Sequence, residues 1–171
     1  YLILSDFLSA NSGSAQLTDG YFDGVSGIRI IGIEPGDNFG TSPHSIGDLD
    51  GDGLDELLVG AMSGNNADNR GETYVIYSSA LTASNGGVIQ LTEAYFDGVT
   101  GVRILGIDNN SGRGDESGRN IINIGDLNGD GKEEVVTSAV YADDGSTWQG
   151  EVYVVFSSAI TSDPDGQIQL T

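Results

Sequence analysis

Asp48, Asp50, Asp52 and Glu56 occupy relative positions 1, 3, 5 and 9 of the segment Asp48-Leu49-Asp50-Gly51-Asp52-Gly53-Leu54-Asp55-Glu56, with glycine at positions 4 and 6. The same spacing returns as Asp126, Asn128, Asp130 and Glu134, again with Gly129 and Gly131 between them. Alternation lets a coiled loop turn three side chains inward, and the glycines allow backbone angles that a Cβ disfavours. Position 7, Leu54 or Lys132, can offer only its carbonyl oxygen. The chemistry implied is capture of a hard cation by carboxylate and carbonyl oxygens, which suits calcium. Magnesium demands a stricter octahedron, and zinc would call for His or Cys. The chain has no cysteine and one histidine, His44, which sets zinc aside. We expect two calcium ions. One is held by Asp48, Asp50, Asp52, Leu54 and Glu56, the other by Asp126, Asn128, Asp130, Lys132 and Glu134.

An EF-hand begins in a similar way but needs an acidic residue at position 12 and flanking helices. Position 12 is Val59 in one loop and Thr137 in the other. Leu57-Leu58-Val59 and Val135-Val136-Thr137 follow the loops, short and apolar or β-branched, which reads as buried strand. Each loop therefore joins strands. Solvated Asp-Gly turns are the competing reading, and recurrence of the loop in register argues against it.

The surrounding chain must position these loops. Its 171 residues include 27 glycines and 3 prolines. With Asn, Asp and Ser scattered between short apolar runs, this composition predicts an all-β chain rich in turns, with scarcely any helix. A net charge of −20, from 26 acidic against 6 basic residues, excludes nucleic acid and anionic membrane as natural partners. No apolar run approaches a membrane span, so no membrane insertion is expected. Zero cysteines exclude a disulfide framework.

Self-similarity supplies the architecture. Tyr1-Leu2-Ile3-Leu4-Ser5 matches Tyr74-Val75-Ile76-Tyr77-Ser78 and Tyr153-Val154-Val155-Phe156-Ser157. Gln16-Leu17-Thr18 returns at Gln90 and Gln169, Tyr21-Phe22-Asp23-Gly24-Val25 at Tyr95, and Ile28-Arg29-Ile30 at Val102. The period is about 73 to 79 residues. Strands are expected at 42–47, 56–61, 72–78 and 102–107, then at 120–125, 134–139 and 151–157. Four antiparallel strands per repeat, with no helix to cover a sheet, predict β-propeller blades that bury one another's faces. We expect one segment over 1–171. Residues 1–38 hold the third and fourth strands of a preceding blade. Residues 39–109 form a full blade with calcium loop 48–56. Residues 110–171 form a second blade with calcium loop 126–134, lacking its last strand. That phase makes the chain an excerpt of a longer array, or a subunit that closes by oligomerising.

Phe39-Gly40 ahead of a strand, the Asp48 to Glu56 loop, and Val59-Gly60-Ala61 after it resemble the FG-GAP repeat of the integrin α-subunit β-propeller and its bacterial relatives. The resemblance implies a propeller of about seven blades and calcium bound through loop positions 1, 3, 5, 7 and 9. The chain departs from the family in carrying Glu56 and Glu134 where Asp is usual. It also has Ser117-Gly118 in place of Phe39-Gly40, and Thr137-Ser138-Ala139 in place of Val59-Gly60-Ala61.

These features point to a non-enzymatic, calcium-binding module outside the cell or at a cell surface, bacterial in origin, used for adhesion or structural assembly. Its partner would be a surface protein, a glycan or copies of itself. One alternative is a glycan-binding lectin or the propeller of a polysaccharide-degrading enzyme, for which Trp148 would stack a sugar. Packing of Trp148 between blades is the favoured expectation. Another alternative is a subunit of an extracellular filament or surface layer. Arg113-Gly114-Asp115, a tripeptide that integrins recognise, reads as an accident of the repeat because Gly36-Asp37 stands at the matching place. His44, without a partner, reads as a surface residue.

Overall fold

The computed structural model describes residues 2–3, 17–64, 69–83, 86–107, 114–143 and 148–171. Short runs rich in β-branched and apolar residues become strands in nearly every place where the pattern predicts them. In chain order these are β1 (Leu2–Ile3), β2 (Gly27–Ile31), β3 (Phe39–Ser45), β4 (Leu57–Ala61), β5 (Glu72–Ile76), β6 (Val88–Gln90), β7 (Gly101–Leu105), β8 (Asn120–Asn123), β9 (Val135–Ala139), β10 (Glu151–Val155) and β11 (Gln167–Gln169). Strands β3, β4, β5 and β7 pair antiparallel in that order, which is the four-stranded unit expected of one repeat. Strands β8, β9 and β10 form the first three strands of the next unit. Strands β1 and β2 pair antiparallel as the third and fourth strands of a unit before it.

Two features depart from the sequence expectation. Helix is present after all: α1 (Ser78–Thr82) and α2 (Ser157–Ser162) each follow the third strand of a repeat, and 3-10 turns form at Asp19–Tyr21 and Glu93–Tyr95. Five or six residues are too few to show a helical period, so composition hid them. The strands β6 and β11 were also not expected. Each leaves its own repeat and pairs parallel with the outer strand of the repeat before it, β6 on β2 and β11 on β7. The recurrent Gln-Leu-Thr is the end of this clasp. Gln90 Nε2 donates to the Gly32 carbonyl, and Gln169 Nε2 to that of Gly106. Leu91 is buried in one core cluster, and Leu170 packs against another.

The core lies between repeats. One cluster joins Leu58, Val75, Val102 and Ile104 to Ile121, Val135 and Val155 of the following repeat. A second joins Ala61, Tyr74, Ile76, Leu81, Ile89 and Phe96 to Ile28 of the preceding one. Strands β4 and β5 therefore bury both faces, alternate side chains serving alternate neighbours. Close approach is set by glycine: a Cβ on Gly60 would lie 2.0 Å from the Gly118 carbonyl oxygen. Ser42, at φ 49°, answers both main-chain groups of Ile121 through its hydroxyl and so ties β3 to β8.

Candidate functional site

Both oxygen-rich loops are built alike. Ile46 N donates to Glu56 O and Glu56 N to Gly47 O, closing the first loop at its neck. Ile124, Glu134 and Gly125 repeat these bonds in the second. Within the first loop, Gly51 N and Gly53 N donate to the two oxygens of Asp48, Asp52 N donates to Asp50, and Leu54 N to Asp52. Asp126, Asn128 and Asp130 receive the equivalent bonds in the second. Positive φ at Gly51, Gly53, Gly129 and Gly131 lets the loops coil this tightly.

Asp48, Asp50 and Glu56 can each present an oxygen within 4.8 Å of the others. Glu56 is 1% exposed, while Asp48, Asp50, Asp52 and Leu54 face solvent. Burial pushes the Glu56 carboxyl above its ordinary range, the bond from Leu49 N opposes this, and the nearby Asp50 charge adds to the rise. Three converging carboxylates, one of them buried, repel unless a cation or protons compensate. The donor set is all hard oxygen, so these residues could hold a divalent metal ion of that preference.

The second loop is arranged differently. Its carboxylates do not form such a group among the described residues. Asn128, standing where Asp50 stands, turns its amide nitrogen toward Asp130 and Glu134. Bonds from Lys132 N and the Asn128 amide hold the Asp130 carboxyl below its ordinary range. The Lys132 ammonium reaches across to the Leu49 carbonyl of the first loop, while its charge also helps to lower Asp130 in its own loop. Beside it Glu133 bonds to Asn123 and lies where a Cβ on Gly47 would come within 3.0 Å. The two loops are thus neighbours in contact.

Sequence reasoning missed Ser78 and Ser157. Ser78 Oγ donates to Glu56 Oε1 at 3.2 Å, and Ser157 Oγ to Glu134 Oε1 at 3.3 Å. The second oxygen of each glutamate takes a main-chain N–H, from Leu49 or Leu127. The signal was present, since a serine closes the Tyr-Val-Ile-Tyr-Ser segment in each matched copy. Only the fold shows that this serine meets the loop.

The remaining residues fall out as follows. Trp148 does not pack between repeats: it is 60% exposed, with its edge against Tyr141 at 5.8 Å between centroids. It stands beyond the second strand, bridged to Asp143. Arg113 lies outside the described residues. Asp115 is 1% exposed, which removes its carboxylate from any receptor. His44 is exposed, with Nδ1 3.1 Å from Ser42 O. No helix among the described residues is long and apolar enough to cross a membrane.

A polar cluster lies at the other junction, where Arg103 pairs with Glu72 at 2.9 Å and the Tyr74 hydroxyl donates to Glu72. Asp37 closes it from the segment joining β2 to β3.

Two oxygen-rich loops, each between the first and second strands of an antiparallel repeat and each followed by a buried strand, match one known module. The FG-GAP repeat profile matches residues 39–76 and again residues 120–155, and the chain therefore carries two FG-GAP repeats.

Proposed function

We propose that this chain is an extracellular, calcium-binding β-propeller module of a larger array of about seven blades, serving cell-surface adhesion or structural assembly without catalysis. The observation that carries the reading is the convergence of Asp48, Asp50 and the buried Glu56 in a loop closed at its neck. Asp48, Asp50, Asp52, the Leu54 carbonyl and Glu56 would hold one ion. Asp126, Asn128, Asp130, the Lys132 carbonyl and Glu134 would hold the other. Bound calcium would supply the positive charge that lets the carboxylates stay close, and the loop would then keep its two strands in register. The first loop is expected to bind more tightly, because Asn128 removes a ligand charge and turns its amide inward.

Support for a larger array comes from one face of the second repeat. Val154 and Phe156 are 41% and 43% exposed, whereas their counterparts Val75 and Tyr77 are 0% and 3% exposed beneath the neighbouring repeat. Ile124 and Leu127 stand in the same relation to Ile46 and Leu49. A further repeat of the same kind fits that face.

Thermal unfolding in calcium and in excess chelator tests the metal reading. We expect chelator to lower the melting temperature steeply, with Asp48→Ala removing more of the calcium effect than Asp126→Ala. Identical melting in calcium and chelator would overturn it.

The exposed Trp148 beside Tyr141 favours a second reading, a glycan-binding surface. A glycan array showing binding that Trp148→Ala abolishes would establish it, and a blank array would remove it.

A further inference from the structure

Resting on the calcium reading, we propose that Ser78 and Ser157 are positioning residues through which occupancy of each loop sets the clasp between its own repeat and the one before. Asp48, Asp50 and Asp52 spend their hydrogen bonds inside the loop. Glu56 is the ligand that reaches out of it. One oxygen takes Leu49 N, and the other takes the hydroxyl of Ser78, far along the chain.

Ser78 is the first residue of α1, and α1 presents Leu81 to a cluster that includes Ile28 of β2 and Ile89 of β6. Those two strands are the clasp. The second repeat repeats the path with different residues. Glu134 Oε1 receives both Ser157 Oγ and Ser157 N, and Ser157 opens α2. Ile160 of α2 is fully buried in a cluster with Val102 and Ile104 of β7, and Ile168 of β11 packs against it. Ser157 Oγ also lies 3.4 Å from Asp130 Oδ2, so it touches two residues of its loop.

A cation that fixes the glutamate carboxylate fixes the serine bonded to it, then the helix, and then the side chain wedged against the clasp. Coupling of this kind is carried by hydrogen bonds and packed side chains, and the links here are the serine–glutamate bonds and the buried clusters shared by helix and clasp. If the serines merely satisfied buried carboxylates, their loss would lower stability equally with and without calcium.

Hydrogen exchange read by mass spectrometry on the intact chain, at saturating calcium and in excess chelator, separates the two. Calcium is expected to slow exchange of the β6 and β11 amides about tenfold. Ser78→Ala should still take up calcium by calorimetry yet lose the slowing at 88–90 while keeping it at 167–169. Ser157→Ala should do the reverse, and Ser78→Thr, which keeps the hydroxyl, should restore the wild-type pattern. If Ser78→Ala abolishes uptake, the threonine variant must recover uptake and clasp protection together; uptake without protection overturns the coupling. Calcium uptake by Ser78→Ala with undiminished slowing at β6 also overturns it and leaves the metal reading standing. Absence of any calcium uptake by the unmodified chain overturns the metal reading itself.

Discussion

Gly86 and Gly87 are neighbours with opposite tolerance. A Cβ on Gly86 meets nothing within 4 Å, whereas Gly87 holds φ +67° and its Cβ would lie 2.2 Å from the Phe22 carbonyl oxygen. The contact matters because Gly87 O accepts from Arg29 N, the first bond of the clasp. Gly166 occupies the equivalent place against Phe96 and Arg103. Gly87→Ala should therefore cost about 2 kcal/mol or more, while Gly86→Ala stays within about 0.5 kcal/mol. Denaturant melts of the two variants check this, and equal midpoints would refute the close approach. At this scale the loop residues were legible, since ligand chemistry dictates type and spacing within nine consecutive positions. Ser78 and Lys132 were not, because their partners, Glu56 and the Leu49 carbonyl, lie far away along the chain.

Among the elements, the segment joining β2 to β3 carries an acid into the junction between repeats. Asp37 is 3% exposed and lines a small pocket with Glu34, Glu72, Glu93 and Arg103. Burial raises its carboxyl above the ordinary range, the bond from Glu34 N works against this, Glu34 and Glu72 add to the rise, and Arg103 opposes it. An unfolded Asp titrates near 3.9. Between that value and the higher folded one, the native chain holds more proton than the unfolded chain. Stability therefore falls as pH rises through the window, and the contribution is complete only below the unfolded value. Asp37→Asn should flatten this slope and melt no lower than the unmodified chain at pH 7. A markedly lower melting temperature for the variant at pH 7, with the slope intact, would contradict the assignment. The principal strands were predicted to within a few residues, since short apolar or β-branched runs mark them, with β3 starting at Phe39 rather than Ser42. Val88–Gln90 and Gln167–Gln169 were not, because three residues show no usable alternation and their partners belong to another repeat.

Across the whole molecule, a residue's fate is decided by whether a neighbouring repeat stands over it. Val75 and Val154 occupy the same register, one buried and one 41% exposed. Val75→Lys should unfold or destabilise the chain by more than about 3 kcal/mol, since it would bury an unpaired charge. Val154→Lys should cost less than about 0.5 kcal/mol and improve solubility. Equal damage from both would mean that the second face is covered in solution.

The parallel pairing of β6 with β2 joins Arg29 to Val88, and that of β11 with β7 joins Arg103 to Gln167. A ribosome adds about 5–20 residues per second, so the outer edge of each repeat waits on the order of seconds for the strand that will cover it. During that interval the bare edge is an aggregation hazard. Acidic residues outnumber basic ones along the chain, which reaches −20 when complete, and the acidity that fills its loops also keeps nascent copies apart.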